Sequence, residues 1–407
     1  MATADSHGGA TAAARSSADG PKFAYIDCLR GYAVLMVMVA HTTSVYAQLP
    51  YPAHKIGTFG WNGVQLFFLA SSLTLLLSYD QERRRTGAFN ARNFFIRRFL
   101  RIAPMYYLAA AFYAVLTPPR SPTLAQLAAS LAFVNAWTPR TMPTTGDWTV
   151  VPGGWSIGVE FTFYLLFPAF VVAATSFRRL LPLLAATVLA AAVLDTLLFP
   201  MLTQAYGRLP ADLFLYYWLP NQAPVFLVGG LVFLAIRALE RQPDHPLSRG
   251  VRRWSGAIVG AGLALGLAIA WFPQRFCHQL LLITSVPQHL AATLVFAAFI
   301  IGLSQAPRSP LVNRVAASLG KVSFSAYLLH FAVIQLIPWS HPRLFHANAE
   351  RWSAIAAYGV CCVVVAGVTY LASCLTYSTI EKPFMRLAKR LTQPRRVSAA
   401  EIPRLAA

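Results

Sequence analysis

Runs of about 20 apolar residues recur along this chain, and a run of that length can cross a lipid bilayer as a helix. Hydrophobic residues make up 57% of the 407 residues and charged residues only 12%, which leaves too little polar surface for a soluble protein of this length. The sequence therefore predicts an all-α, polytopic membrane helical bundle of about ten transmembrane helices. The predicted spans are residues 25–47, 60–79, 104–118, 154–175, 180–200, 213–236, 255–273, 282–303, 321–340 and 353–379.

The basic residues are distributed unevenly between the two sides of the predicted bundle. If the N-terminus is cytoplasmic, the inward-facing segments hold 27 of the 34 Lys and Arg residues. This asymmetry follows the positive-inside rule, so both the N- and C-termini are predicted to be cytoplasmic, in a multi-pass protein of a cell inner membrane. The net charge of +20 then reflects topology, and no basic stripe interleaved with aromatic residues indicates nucleic-acid binding. The inward segments are residues 1–30, 80–103, 176–180, 237–253, 304–321 and 381–407.

The apolar stretch at residues 124–137 is short for a membrane span. Counting it as a crossing would invert every later loop and place the basic ones outside the cell. We therefore interpret this stretch as re-entrant or interfacial.

Three regions divide the chain. Residues 1–21 are mostly small and polar and lack the apolar core of a signal peptide, so they are expected to be a disordered cytoplasmic N-terminal lead. Residues 22–390 form the predicted transmembrane domain, and residues 391–407 a cytoplasmic basic tail. The five cysteines lie in or beside apolar spans, at spacings that indicate neither a disulfide framework nor a metal site, so no bound metal is expected.

One predicted span carries an arginine and a histidine near its two ends, Arg30 and His41. Eleven residues along a helix return a side chain to within about 20° of its first direction, displaced by about 16 Å along the axis. Both side chains are therefore expected to face one cavity. Because a cation and an imidazole are costly in lipid unless they face a polar interior, this pair predicts a functional site within the membrane.

The segment between the second and third predicted spans carries the densest positive charge. Within it, Arg101 follows Arg98 by three residues and Arg97 by four, so the three side chains are expected to converge on one side of an amphipathic helix at the inner surface. Guanidinium groups match phosphate oxygens, which favours binding of a cytosolic phosphorylated donor. Topology determination and contact with anionic lipid are alternative explanations of the same arginines.

Six motifs follow one another along the chain and together resemble a known family. The first is the pair Arg30 and His41. The others are residues 63–71 (GVQLFFLAS), 97–104 (RRFLRIAP), 155–161 (WSIGVEF, followed by Tyr164 and Pro168), 320–330 (GKVSFSAYLLH) and 381–383 (EKP). In this order they are similar to the acyltransferase type 3 family of multi-pass membrane O-acyltransferases, over about residues 22–385.

The resemblance implies transfer of an acyl group, most often acetyl, from cytosolic acyl-CoA to a hydroxyl of a carbohydrate acceptor such as an exopolysaccharide or a lipid-linked sugar. The protein would be an O-acetyltransferase with acyl-CoA (acetyl-CoA) as co-substrate and no permanently bound cofactor. Its expected partners are acyl-CoA, the acceptor and membrane lipid, without nucleic acid, and assembly into a homo-oligomer stays open. Many relatives carry a further C-terminal hydrolase-like domain, which this chain is expected to lack.

Three residues are candidates for catalysis under this resemblance. His41 is expected to be the general base that takes the proton of the acceptor hydroxyl, or to accept the acyl group itself. Glu160 is expected to orient His41 or to hold the acceptor hydroxyl, and the alternative is an ion pair that fixes helix packing. Arg30 is expected to steer the phosphates or thioester of the donor, or else to mark the cytoplasmic boundary beside Asp27.

Further positions are expected to bind substrates. The three clustered arginines would bind the phosphates of the co-substrate. Trp155 and Ser156 are expected to contact a sugar. Tyr327 and His330 lie three residues apart on one helical face and are expected to reach the cavity, with a satisfied structural hydrogen bond as the alternative for His330.

Two positions depart from the family pattern, which often has Asp at position 65 and Gly at position 72, whereas this chain has Gln65 and Ser72. An amide can neither act as a base nor carry charge, so any role of an acid at position 65 is absent or moved elsewhere. Two other functions stay open. Ten helices with buried charges also describe a transporter or flippase for a lipid-linked sugar, and the two departures fit a membrane scaffold with inherited but inactive motifs.

Overall fold

A computed structural model describes residues 24–46, 49–116, 122–142, 150–271, 288–340 and 351–393. All regular secondary structure in these residues is helical, which confirms the predicted fold class. The predicted N-terminal lead and nearly all of the predicted basic tail lie outside the described residues.

The helices follow one another through short connections. In chain order they are α1 (Ala24–Val45), α2 (Tyr51–Phe59), α3 (Gly63–Thr86), α4 (Ala91–Leu116), α5 (Leu124–Leu131), α6 (Gly154–Ala173), α7 (Phe177–Tyr206), α8 (Arg208–Tyr217), α9 (Leu219–Arg241), α10 (Pro246–Arg253), α11 (Ser255–Ala270), α12 (Gln288–Ser304), α13 (Arg314–Lys321), α14 (Ser323–Ser340), α15 (Arg351–Thr376) and α16 (Lys382–Thr392). A 3₁₀ turn (Gly60–Asn62) joins α2 to α3, and a π-helical turn (Tyr377–Glu381) joins α15 to α16.

Each of the ten predicted spans overlaps one or two of these helices. Among the described residues, seven continuous helical segments are long and apolar enough to cross a membrane. Two further segments qualify as bent pairs, α10 with α11 at 61° and α13 with α14 at 82°. The remaining predicted span, residues 282–303, overlaps the shorter apolar helix α12 of 17 residues. Seven to nine candidate spans, with only helices among the described residues, are those of a polytopic membrane bundle.

The arginine-rich segment does not form the separate surface helix that its composition predicted, because it is the first half of α4. This helix runs continuously through Pro104. Proline lacks the N–H that would bond to the carbonyl of residue 100, but Ala103 and Met105 on either side of it are buried in the bundle and keep the helix in place. The arginines therefore approach the interior of the bundle directly.

The stretch at 124–137 contains only the eight-residue helix α5, which is about 12 Å long and spans less than half of the hydrocarbon core. After α5 the chain turns at Phe133, whose φ of 61° is unusual for a bulky residue. The Phe133 ring stacks on Phe161 of α6 with centroids 3.9 Å apart. This segment is too short to cross a membrane, as its length predicted.

α1 packs against α3, α13 and α14. Two glycines permit the closest approach: a Cβ at Gly31 would lie 2.1 Å from the carbonyl oxygen of Ala316, and a Cβ at Gly320 would lie 1.8 Å from that of Asp27. The chain then bends by 82° from α13 into α14. This close packing and the bend bring the side chains of α14 against those of α1.

Candidate functional site

A pocket with a cavity volume of about 70 Å³ lies between α1, α3, α4, α6 and α14. It follows α3 from Val64 to Leu75, about 16 Å of helix. Its lining residues are Arg30, Val64, Phe67, Phe68, Ser71, Leu75, Arg98, Arg101, Ile102, Ser156, Ile157, Glu160, Tyr164, Ser323, Phe324 and Tyr327.

Three guanidinium groups, those of Arg30, Arg98 and Arg101, line one part of this pocket, which we call the arginine end. Arg30 Nη2 donates a hydrogen bond to Thr74 Oγ1 at 3.3 Å. The buried Nε of Arg98 has no hydrogen-bond partner among the described residues. Three cations with an unused donor suit a phosphate or another anionic group.

Arg97, the third arginine of the predicted cluster, does not line the pocket. Its Nη2 donates to Glu82 Oε2 of α3 at 2.5 Å in a partly exposed ion pair. Consecutive residues on a helix point about 100° apart, and here Arg97 is directed at α3 while Arg98 faces the pocket. Arg98 and Arg101 share the pocket face as expected, whereas Arg97 lies outside it, and its binding of the donor stays a prediction.

Glu160 of α6 also lines the pocket. Its Oε1 accepts hydrogen bonds from Ser71 Oγ at 2.7 Å and from Tyr164 OH at 2.6 Å. Within the described part of the chain it has neither a hydrogen bond to His41 nor an ion pair with an arginine. No direct contact therefore supports the expectation that it orients His41 or the alternative that it forms an ion pair. The carboxylate is held by two hydroxyl groups close to the positive charge of Arg30 and Arg98.

Ser156 and Tyr327 line another part of the pocket, which we call the tyrosine end. Ser156 Oγ donates to Tyr327 OH at 2.8 Å, and Tyr327 OH donates to the carbonyl of Gly153 at 3.0 Å. Gly153 precedes α6 with a φ of 72°, and a Cβ there would lie 2.9 Å from the tyrosine oxygen. Only glycine therefore fits at the start of α6 in this arrangement.

Trp155 does not line the pocket, although Ser156 beside it does. The indole stacks on the ring of Tyr217 at 4.2 Å and meets Phe68 edge-on at 6.3 Å. It thus forms part of the wall behind Phe68, and direct contact with a sugar stays a prediction.

His41 and His330 form a pair beyond the tyrosine end. His330 Nε2 lies 3.2 Å from His41 Nδ1, and the Tyr327 ring lies 5.8 Å from that of His330. His330 is fully buried, whereas His41 is partly exposed between Trp61 and Phe331. Arg30 and His41 were expected to face one cavity. Arg30 lines the pocket, whereas His41 does not.

The two residues that donate hydrogen bonds to Glu160, Ser71 and Tyr164, had no predicted role. Tyr164 could have been found from the sequence, because it lies four residues after Glu160 and thus on the same helical face. Ser71 could not have been found in this way, because 89 residues separate it from Glu160.

The two departures from the family pattern lie outside the pocket and contact α8 and α9. Gln65 Nε2 donates to Tyr216 OH and to Gln222 Oε1, both at 3.1 Å. Ser72 Oγ donates to the carbonyl of Phe226 at 2.9 Å. Both residues thus contact neighbouring helices.

Comparison with known proteins agrees with these features. A family model described as an acyltransferase domain matches residues 23–374. "Acyltransferase MdmB" of Streptomyces mycarofaciens is 29% identical over 386 residues, which cover 89% of this chain and 91% of that protein. "Exopolysaccharide production protein ExoZ" of Rhizobium meliloti (strain 1021) is 28% identical over 202 residues, 44% of this chain and 59% of that protein. No solved structure matches the chain. Because the family model spans most of its length, this chain belongs to the acyltransferase 3 family and is a multi-pass membrane acyltransferase.

Proposed function

We propose that this protein is an O-acetyltransferase of a bacterial inner membrane that transfers the acetyl group of cytosolic acetyl-CoA to a hydroxyl of a carbohydrate. The observation that carries the proposal is one pocket with converging guanidinium groups at its arginine end and an imidazole pair just beyond its tyrosine end.

The arginine end supports the choice of a phosphorylated donor. Arg98 and Arg101 come from one face of α4, and Arg30 joins them from α1. Coenzyme A carries several phosphate groups, and guanidinium groups bind phosphate with paired, charge-assisted hydrogen bonds. The thioester arm of the donor would then extend along α3 toward Ser156 and Tyr327.

His41 is the residue best suited to activate the acceptor. A hydroxyl is a poor nucleophile near neutral pH, and a positioned imidazole that takes its proton contributes about 10²- to 10⁴-fold to such a reaction. The hydroxyl oxygen attacks the thioester carbonyl as its proton passes to His41. The carbon–sulfur bond then breaks, and the departing thiolate takes that proton and leaves as free coenzyme A.

Two observations support a carbohydrate acceptor. The ExoZ relative is named for exopolysaccharide production. The Tyr327 ring and the Ser156 hydroxyl line the tyrosine end of the pocket, and an aromatic ring beside a polar group suits a sugar. We expect the acceptor to approach His41 from its exposed side.

The proposal is tested with purified protein, acetyl-CoA and polysaccharide extracted from a strain that lacks this gene. We expect free thiol to be released and an acetyl mass to be added to the polysaccharide. His41→Ala should abolish both signals, whereas His289→Ala, which removes a buried histidine of α12 outside the pocket, should retain them.

Two results would contradict the proposal. Thiol release at the wild-type rate by the His41→Ala protein would show that His41 is not the base on which the proposal depends. Absence of thiol release by the folded wild-type protein, with movement of a lipid-linked sugar across vesicles instead, would favour a transporter.

A further inference from the structure

The hydrogen-bond partners of His41 and His330 indicate which ring nitrogen of each carries a hydrogen. His41 Nδ1 lies 2.9 Å from the carbonyl oxygen of Val37, and His330 Nδ1 lies 3.2 Å from that of Ala326. A carbonyl oxygen can only accept a hydrogen bond, so each Nδ1 must carry the hydrogen. In a neutral imidazole the lone pair then resides on Nε2, and both histidines are Nδ1–H tautomers.

This assignment gives the two rings different tasks. The lone pair of His330 Nε2 faces the Nδ1–H of His41 at 3.2 Å, so His330 accepts a hydrogen bond that His41 shares with the Val37 carbonyl. His41 Nε2 carries the free lone pair and has no hydrogen-bond partner among the described residues. That nitrogen is therefore available to an incoming hydroxyl.

We propose that His330 is a positioning residue, which holds His41 as the Nδ1–H tautomer and stabilises its protonated form during acyl transfer. This inference rests on the proposed function, in which His41 is the base. It replaces the expectation that His330 contacts a substrate, because His330 is fully buried and its Nε2 is directed at His41.

The proton movements balance through His41 alone. The acceptor hydroxyl gives its proton to His41 Nε2, which makes this ring an imidazolium with hydrogens on both nitrogens. Its Nδ1–H bond to His330 becomes charge-assisted and stronger at that moment. When the thiolate leaves, it takes the proton from Nε2, and His330 stays neutral throughout.

Aromatic rings surround the histidine pair. Phe331 lies 4.0 Å from the His330 ring and 4.3 Å from the His41 ring, and Trp61 lies 4.5 Å from His41 on α1. Among these aromatic rings an imidazolium is stabilised by a hydrogen-bond acceptor, because the rings themselves offer none. His330 Nε2 supplies that acceptor.

The experiment compares two substitutions of His330. His330→Leu removes the hydrogen-bond acceptor Nε2 and nearly conserves the side-chain volume, whereas the amide oxygen of His330→Gln can still accept a hydrogen bond. Both are assayed for kcat and for KM with acetyl-CoA, next to His289→Leu as a control in another buried histidine. We expect His330→Leu to lower kcat by about 10- to 100-fold, the loss typical of a hydrogen bond to a charged group. KM for acetyl-CoA should stay within about twofold, and His330→Gln should recover part of kcat.

A spectroscopic measurement tests the tautomer in the unaltered protein. Side-chain 15N resonances of labelled wild-type protein, assigned through the His41→Ala spectrum, should show the hydrogen of His41 on Nδ1. A hydrogen on Nε2, equal kcat losses in the Leu and Gln variants, or wild-type kcat in His330→Leu would each overturn the inference. If His41→Ala is inactive and His330→Leu is fully active, only this inference fails, whereas an active His41→Ala protein overturns the proposed function.

Discussion

Arg97 and Arg98 are neighbours in the sequence, but their side chains have different surroundings. Arg98 faces the pocket with an unpaired Nε, whereas Arg97 forms an ion pair with Glu82 of α3. The same residue type therefore has two functions at adjacent positions: one guanidinium is available to a ligand, and the other holds two helices together. This difference is a direct test of the donor site.

Arg98→Gln should raise the dissociation constant of acetyl-CoA by about 10- to 100-fold, because it removes a charge-assisted contact to phosphate. Arg97→Gln should change that constant by less than about twofold, because its partly exposed ion pair lies outside the pocket. Calorimetric titration of the detergent-solubilised protein measures both constants. Equal effects of the two substitutions, or none from Arg98→Gln, would place the donor elsewhere.

At the scale of elements, close packing of α3 against α9 accommodates a departure from the family pattern. Ser72 stands where the family often has glycine, and Gly229 of α9 lies directly opposite. A Cβ at Gly229 would lie 2.6 Å from Ser72 Cβ and 2.8 Å from its Oγ. Glycine is thus absent from α3 at position 72 but present on α9 at position 229, which lets the two helices pack closely.

Gly229→Ala should lower the free energy of unfolding by about 1–3 kcal/mol, because the new methyl group overlaps Ser72. Adding Ser72→Gly should restore part of that loss, since it removes both overlapping atoms, although it also removes the hydrogen bond to the Phe226 carbonyl. Thermal unfolding in detergent measures the effect. Gly260→Ala is the matched control, because nothing lies within 4 Å of a Cβ there. Additive effects of the two substitutions would contradict this account of the packing.

At the scale of the whole molecule, charge asymmetry predicts which side of the membrane each loop faces. The connection between α3 and α4 follows three arginines and is predicted to be cytoplasmic, whereas α2 is predicted to face outward. Ala88 and His54 are exposed residues in these two places. Of the native cysteines that the structure describes, Cys28 and Cys361 are buried and Cys362 and Cys374 are half-buried, so the unsubstituted protein is the control for background labelling.

In intact cells, His54→Cys should react with a membrane-impermeant maleimide and Ala88→Cys should not. After permeabilisation both should react, and the unsubstituted protein gives the background. The reverse pattern would invert the topology and separate the arginine end from cytosolic acetyl-CoA, so the assay tests the orientation on which the donor side of the mechanism depends.

Features that depend on local pattern could be predicted from the order of the amino acids alone. Apolar runs of membrane length predicted the helices, because each segment must satisfy its backbone hydrogen bonds internally in lipid. Helical periodicity placed Arg98 and Arg101 on one face, and the motifs identified the family and singled out Arg30, His41 and Glu160. The predicted helix boundaries were less accurate. α4 continues through Pro104, so the arginines before that proline belong to a helix long enough to span the membrane.

The contacts between these residues, in contrast, depend on how the helices pack in three dimensions. Glu160 is bonded to Ser71 across 89 residues of sequence, and His41 contacts His330 across 289. Such contacts depend on the crossing of helices and on the direction of each side chain, which no local pattern contains. For the same reason the structure separated Arg97 from Arg98 and turned Gln65 and Ser72 away from the pocket.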